Sequence, residues 1–141
     1  MSSPSGIVHL VDRTPQVTGD EMVAALVPPP QFDHATFETY RPDPAYPSQA
    51  EAKDLLVAFS GGGAPPARGG FVRRAKKEPE VKPGVYLDGG FGVGKTHLLA
   101  ATYHAMPVRR KYFGSFIEYT ALVGALGYQN TVELFRGADL L

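Results

Sequence analysis

A glycine-rich run at residues 89–96 carries the clearest chemical signature of the chain. It reads Gly-Gly-Phe-Gly-Val-Gly-Lys-Thr and fits the pattern G-x-x-x-x-G-K-[ST], in which glycines let successive backbone amides point into one hollow. Such a hollow binds phosphate oxygens, and the helix that follows adds the positive end of its dipole. Lys95 is predicted to contact the β- and γ-phosphates, and Thr96 is predicted to bind Mg²⁺ through its hydroxyl.

The predicted nucleotide site takes in this run and the residue after it: Gly89, Gly90, Phe91, Gly92, Val93, Gly94, Lys95, Thr96 and His97. The dinucleotide pattern G-x-G-x-x-G is not met, because the third glycine after Gly90 and Gly92 would fall at Lys95. The run therefore indicates a triphosphate cradle with ATP and Mg²⁺ as cofactors, rather than a nicotinamide or flavin site. The alternative without function is a glycine-rich turn with an incidental Lys-Thr pair.

The elements around the run have the order that a phosphate loop needs. Val85–Leu87 is predicted to be a buried strand before it, and residues 95–106 a helix after it, ended by Pro107. The later predictions are a strand at Tyr112–Tyr119, a helix from a Thr120 cap to Leu126, and a helix from an Asn130–Glu133 capping box to about Arg136. This alternation predicts an α/β fold with a parallel sheet.

The first half of the chain is broken by proline. Twelve of the 13 Pro lie at or before Pro83, and they leave room for two helices there. The first is predicted at Glu21–Val27 with Asp20 as its cap, and the second at Ser48–Ser60 with a Ser48–Glu51 capping box and a stop at Gly61. The predicted organisation is a flexible arm at 1–30, a helical lead-in at 31–63, a basic loop at 64–83 and a P-loop domain from 84 to 141.

Composition excludes several classes of protein. The 14 Lys+Arg balance the 14 Asp+Glu, which argues against a generally basic nucleic-acid binder but not against a local basic patch. There is no Cys, and the four His have no metal-ligand spacing, so disulfides and Cys-based zinc sites are excluded. No apolar run reaches the roughly 18 residues of a membrane span, and no secretory signal begins the chain. The expected location is the cytoplasm.

Four further features each allow two interpretations. His97 and His104 lie seven residues apart on one helix face, where hydrogen-bonded or solvent-facing histidines are favoured over metal ligands. Glu118 is favoured as an edge or capping carboxylate over a catalytic base. Gln49 is favoured as a helix-surface residue over a contact to an adenine edge. The basic loop (Arg68–Lys77) is favoured as a solvated insertion over a surface for phosphate backbone or acidic lipid.

Three segments carry a resemblance to a known family. Gly84–Leu99 resembles the start of the ATPase module of ZapE-type cell-division ATPases, which are AAA+-like proteins with mitochondrial relatives linked to protein quality control. Phe116–Gly127 resembles the actinobacterial branch, and Pro47–Phe59 resembles the segment before the ATPase core. The resemblance implies an ASCE-type, three-layer P-loop fold and ATP hydrolysis coupled to remodelling a protein partner. It also implies a homo-oligomer at full length.

The resemblance also predicts that the chain is an N-terminal fragment. The family continues into a Walker B strand, a sensor residue and an arginine finger, and Leu140–Leu141 would begin that strand. Its sheet order, 5-1-4-3-2, places the strand around Phe116 beside the Walker B strand. Open strand edges then predict poor folding or aggregation of the isolated chain. Hydrolysis by these 141 residues alone is expected to be near background.

Two other functions share the same loop. One is a small-molecule kinase or a GTPase, although the chain contains no N-K-x-D base-reading motif. The other is an ATP-controlled nucleic-acid-binding module like the helicase loaders, which would use the basic loop. Binding of nucleic acid is not favoured here, and salt-dependent binding of single-stranded DNA would support it.

Overall fold

The computed structural model describes residues 17–61 and 84–141. Within these two ranges the chain forms one 3₁₀ turn, Pro30–Phe32, and five α-helices: α1 Gly19–Ala24, α2 Pro47–Ser60, α3 Lys95–Ala105, α4 Phe116–Leu126 and α5 Tyr128–Phe135. The predicted basic loop at 64–83 and the first 16 residues of the predicted arm lie outside the described residues. Helix α1 packs on α4, α4 packs on α5, and α2 packs on α3.

Helix α1 has a different cap from the predicted one. Thr18, not Asp20, is its N-cap, and Thr18 forms a capping box with Glu21. The Thr18 hydroxyl accepts from the Glu21 amide at 3.3 Å, and a Glu21 carboxylate oxygen accepts from the Thr18 amide at 2.8 Å. The Thr18 amide and the Thr18 hydroxyl, the latter at 3.0 Å, both donate to the Glu21 carboxylate, and these two bonds lower the pKa of Glu21. The predicted cap at Asp20 is wrong because the reciprocal bonds between Thr18 and Glu21 start the helix before Asp20.

Helix α2 was predicted correctly in position but not in its cap. It begins at Pro47 with Tyr46 as N-cap and has no side-chain cap, so the predicted Ser48–Glu51 capping box is wrong. Proline is well suited to the first helical position, because its missing amide has no helical partner there and its φ is already helical. The predicted stop at Gly61 is confirmed, since the Gly61 amide donates to the Val57 carbonyl at 3.1 Å.

The two predicted strands do not form strands within the described residues. Val85 and Leu87 are half-buried and pack against the core, whereas Tyr86 between them is 89% exposed, an alternation typical of an extended segment. A single parallel bridge joins Lys111 to Leu140, and the Tyr112 amide donates to the Leu140 carbonyl at 3.0 Å. The parallel sheet therefore stays a prediction.

Helix α4 overturns the second half of the predicted strand at Tyr112–Tyr119. Ser115 caps the helix and forms a capping box with Glu118, so Phe116–Tyr119 are helical. The predicted Thr120 cap is also wrong, because its hydroxyl donates to the Phe116 carbonyl at 2.8 Å from inside the helix. The aromatic and β-branched residues favoured a strand, and the capping box outweighed that preference.

Helix α5 begins earlier than predicted. Gly127, at φ +81°, is its N-cap, so the predicted Asn130–Glu133 capping box is wrong. The Asn130 side chain instead donates to the Leu126 carbonyl at 2.8 Å. Glu133 pairs with Arg136 at 2.8 Å on an exposed surface. The helix ends at Phe135, one residue before the predicted end.

One hydrophobic core lies beneath the glycine-rich loop. It joins α2, α3 and the segment before α2 through five buried residues: Phe37, Tyr40, Leu56, Leu98 and Ala101. Ala52, Val85 and Leu87 pack against it, so the extended segment that leads into the loop rests on this core. Leu26 and Leu122 are buried elsewhere, where α1 packs on α4. In the described part of the chain, no helix has the length and apolar character needed to cross a membrane.

Candidate phosphate-binding site

The loop at residues 89–96 has a backbone that glycine alone adopts readily. Gly89, Gly92 and Gly94 have φ values of +149°, +75° and +85°, where other residues are strained. Gly94 is the N-cap of α3, and no side chain caps that helix. The amides of the first turn, which have no partner within a helix, are therefore not covered by a capping side chain.

The Lys95 ammonium lies over this loop. Its Nζ donates to the carbonyls of Gly89 at 2.8 Å and Gly90 at 2.6 Å. The positive charge and the start of α3 are thus brought to the same short segment. Thr96 is exposed in the first turn of α3, and Phe91 is fully exposed at the tip of the loop. The backbone amides and the ammonium suit the oxygens of a phosphate group, and a hydroxyl oxygen suits the Mg²⁺ that accompanies it.

A cavity of about 480 Å³ opens beside the loop. Its walls come from the segment before α2, the start of α2, the extended segment and α3: Tyr40, Tyr46, Ser48, Gln49, Ala52, Leu87, Asp88, Gly89, Gly90, Val93, Lys95 and Leu98. Gln49 lines this cavity, and its side-chain oxygen accepts from the Asp43 amide at 2.8 Å. The Asp88 carboxylate accepts from the Gly89 amide at 2.8 Å.

Both histidines of α3 bond to the lead-in segment. His97 Nε2 lies 2.9 Å from the Thr36 carbonyl and 3.0 Å from the Thr39 hydroxyl, and His104 Nε2 lies 3.1 Å from the Phe32 carbonyl. A carbonyl only accepts, so Nε2 carries the proton in each ring. The interpretation of these residues as hydrogen-bonded histidines is confirmed. Among the described residues no group of three or more His, Asp or Glu is placed to hold a metal ion.

Tyr40 contacts the loop, and sequence reasoning missed this contact. Its hydroxyl donates to the Val93 carbonyl at 2.9 Å, and the side chain is only 7% exposed. A Cβ placed on Gly94 would lie 2.6 Å from Tyr40 Cε2, so the ring packs directly on the loop backbone. No signal in the sequence points to the Tyr40–Val93 contact, because Tyr40 and Val93 are 53 positions apart.

Glu118 acts as a capping residue of α4 and is not a catalytic candidate. Its carboxylate accepts from the Ser115 amide at 2.6 Å and from the Ser115 hydroxyl at 2.8 Å, as a capping carboxylate does. These hydrogen bonds lower the pKa of Glu118 below its ordinary range. The preferred interpretation of Glu118 as a capping residue is therefore confirmed.

Comparison with known proteins identifies the family. A family model described as AFG1-like ATPase matches residues 17–124, which is more than half of the chain. No curated protein and no solved structure matches the chain. The match includes the lead-in segment, the glycine-rich loop and most of α4. The chain belongs to the AFG1-like ATPase family, a family of P-loop ATPases.

Proposed function

We propose that this protein binds ATP with Mg²⁺ at residues 89–97 and that the full-length protein hydrolyses it. The observation that carries the proposal is the placement of the Lys95 ammonium over the loop, at the N-terminus of a helix without a side-chain cap. A cation and helix-terminal amides at one place favour a polyphosphate over a neutral ligand. Membership of an ATPase family supports the same activity.

The proposal assigns roles to the backbone of the loop and to three side chains of α3. The backbone amides of the loop and of the first turn of α3 bind the phosphate oxygens. Phe91 and Val93 take part through their backbone, and no role is assigned to their side chains. Lys95 contacts the β- and γ-phosphates as a point charge. The Thr96 hydroxyl binds Mg²⁺, which neutralises charge on the phosphates when bound. His97 follows Thr96 on α3, where its side chain contacts Thr36 and Thr39 of the lead-in segment.

The cavity beside the loop is proposed to hold the base. Its volume of about 480 Å³ lies in the range typical of small-molecule sites. Ala52 and Leu98 supply apolar walls, and Tyr46, which is 61% exposed, offers an aromatic face at the rim. Because the Gln49 carbonyl oxygen already accepts from Asp43, its amide nitrogen remains a donor for a ring nitrogen of the base.

Hydrolysis is proposed to drive remodelling of a protein partner in the cytoplasm. The resemblance of Gly84–Leu99 and Phe116–Gly127 to ZapE-type ATPases of the actinobacterial branch supports a partner from cell division or protein quality control. The same resemblance supports a homo-oligomer and a three-layer fold with a parallel sheet. The parallel bridge between Lys111 and Leu140 supports pairing between the strand after α3 and the strand that starts near Leu140.

Replacement of Lys95 tests the nucleotide site. We expect Lys95→Ala to weaken ATP binding by about 10- to 150-fold, since hydrogen bonds to charged groups contribute about 1.5–3 kcal/mol. Titration of the purified protein with a fluorescent ATP analogue in the presence of Mg²⁺ measures the dissociation constant. Lys53→Ala removes the same charge from α2, away from the cavity, and should bind normally. Equal affinities for Lys95→Ala and wild type would contradict the proposal.

A further inference from the structure

The segment at residues 36–40 touches the phosphate loop from more than 50 residues upstream. Tyr40 contacts the loop itself at Val93 and Gly94, and His97 in the first turn of α3 contacts Thr36 and Thr39. The Tyr40 and His97 rings also lie close together, with centroids 5.8 Å apart and planes tilted by 46°. These contacts join the lead-in segment to the C-terminal half of the loop and to the first turn of α3.

Tyr40 determines the direction of one peptide group in the loop. Its hydroxyl holds the Val93 carbonyl at 2.9 Å. Because a trans peptide is planar, the amide of Gly94 must then point away from Tyr40. The ring lies so close to Gly94 that a methyl group there would collide with it. The orientation of this amide therefore depends on Tyr40 as well as on the conformation of Gly94.

His97 fixes the first turn of α3 against the same segment. Its Nε2 proton is directed to the Thr36 carbonyl at 2.9 Å, and the Thr39 hydroxyl lies 3.0 Å from the same nitrogen. His97 comes directly after Lys95 and Thr96, so holding its side chain also holds the backbone amides of that turn.

Local hydrogen bonds and burial in the core stabilise the part of the lead-in segment that makes these contacts. The Thr36 amide donates to the Thr39 hydroxyl at 3.0 Å, and the Thr39 amide donates to the Thr36 hydroxyl at 3.2 Å. Reciprocal bonds of this kind close a local turn without help from the rest of the chain. Phe37, inside the turn, is buried in the core. From this turn the Tyr40 side chain reaches the loop, and Thr36 and Thr39 meet His97 of α3.

We infer that Tyr40 and His97 are positioning residues that hold the phosphate loop ready for the polyphosphate of the nucleotide. The inference rests on the proposed function and names residues that the P-loop pattern does not contain. A loop already held in its binding arrangement loses less conformational entropy on binding. ATP affinity therefore depends on the lead-in segment, although that segment lies outside the glycine-rich run.

Removal of the Tyr40 hydroxyl is the first test. Tyr40→Phe keeps the buried ring and deletes the bond to Val93, and we expect the dissociation constant for ATP to rise about 2- to 12-fold, the range that one neutral hydrogen bond supports. Tyr103→Phe is the matched control, because Tyr103 lies on α3 and contacts Phe113 rather than the loop. Its ATP affinity should equal that of the wild type.

The two histidines of α3 offer a second pair of variants. His97→Leu and His104→Leu each delete a bond between α3 and a lead-in carbonyl, and His97→Leu also removes the contact to the Thr39 hydroxyl. A purely structural role predicts lower stability in both variants without a specific loss of ATP affinity in His97→Leu. We expect both to lower the thermal unfolding midpoint, but only His97→Leu to weaken ATP binding. His97→Gln keeps a donor near Thr36 and should restore most of the affinity lost in His97→Leu.

The outcomes separate the inference from the proposed function. Failure of the wild-type protein to bind ATP contradicts the proposed function and the inference together. Wild-type binding that survives Tyr40→Phe unchanged, or that falls equally in His97→Leu and His104→Leu, overturns the inference alone. If Tyr40→Phe does not fold, comparison of His97→Leu, His97→Gln and His104→Leu decides the matter without it.

Discussion

Gly92 and Gly94 both have φ in the left-handed region, but only Gly94 lies against a side chain. A Cβ on Gly92 would meet nothing within 4 Å, whereas one on Gly94 would come within 2.6 Å of Tyr40 Cε2. Gly92 is therefore required for its backbone conformation, and Gly94 for its conformation and for the space it leaves. Glycine is thus required at these two positions of one motif for different physical reasons.

Alanine at these two positions should separate strain from collision. Left-handed backbone costs a non-glycine residue about 1–2 kcal/mol, so Gly92→Ala should destabilise the protein by that amount. Gly94→Ala adds overpacking against a buried ring, for which a further ~1–3 kcal/mol is expected. Urea unfolding of both variants beside the wild type measures the difference. Equal losses of unfolding free energy would show that Tyr40 does not press on Gly94.

Sequence reasoning predicts those residues of the candidate site that belong to a local pattern. Lys95 and the glycines were predicted because the motif requires them within eight consecutive positions, and the structure places Lys95 over the loop. Tyr40 was missed because its contact spans 53 positions and leaves no periodic trace. Gln49 was favoured as a surface residue, since nothing in α2 shows that its first turn faces the cavity.

Helix starts show how local signals compete at the scale of elements. The pattern Ser/Thr-x-x-Glu occurs at Thr18, Ser48 and Ser115, and it forms a capping box at the first and third but not at the second. At α2 the helix starts one residue earlier, at Pro47, so Ser48 is already helical and cannot act as a cap. The position of a proline thus decides which of three similar patterns is used.

Removal of the Ser115 cap should destabilise the protein. Ser115→Ala deletes the hydroxyl that bonds to the Glu118 amide and carboxylate, and loss of such a cap costs about 1 kcal/mol. Ser48→Ala is the matched control, because α2 has no side-chain cap, and its unfolding free energy should change by less than ~0.5 kcal/mol. A larger loss for Ser48→Ala than for Ser115→Ala would contradict this assignment of the caps.

The same cap predicts a pH dependence. Hydrogen bonds from Ser115 lower the folded-state pKa of Glu118 below its ordinary value of 4.5. The stabilisation is therefore complete above that ordinary value and is lost as the pH falls through the folded-state pKa. The stability difference between wild type and Ser115→Ala should be largest near neutral pH and should narrow in acid. Urea unfolding at a series of pH values measures it.

At the scale of the whole molecule, the strands were the least predictable part. A strand exists only with a partner, and none of the described residues pairs with Val85–Leu87. The segment after α3 does find a parallel partner at Leu140, although its bridge is at Lys111 rather than near Phe116. Lys111 also donates to the carbonyls of Tyr103 and Met106 at the end of α3, so this segment is tied to the helix that carries the site.

Nucleotide binding and hydrolysis should separate in this chain of 141 residues. In the proposed site, binding needs the loop amides, Lys95 and the cavity, and all three lie among the described residues. Hydrolysis also needs acidic groups to hold the metal ion and place the attacking water, and an arginine contributes about 10³- to 10⁵-fold in rate. Asp88 is the only carboxylate among the described residues that line the cavity, and it accepts from the Gly89 amide.

We therefore expect the 141-residue chain to bind ATP in a Lys95-dependent way and to release phosphate no faster than the Lys95→Ala variant. A coupled phosphate assay at saturating ATP and Mg²⁺ measures turnover, and the analogue titration on the same sample shows that the site is filled. Both measurements are needed, because a protein that does not bind would also show no turnover. Turnover well above the Lys95→Ala baseline would mean that these residues already contain a complete catalytic set, and Asp88 would then be the first carboxylate to replace.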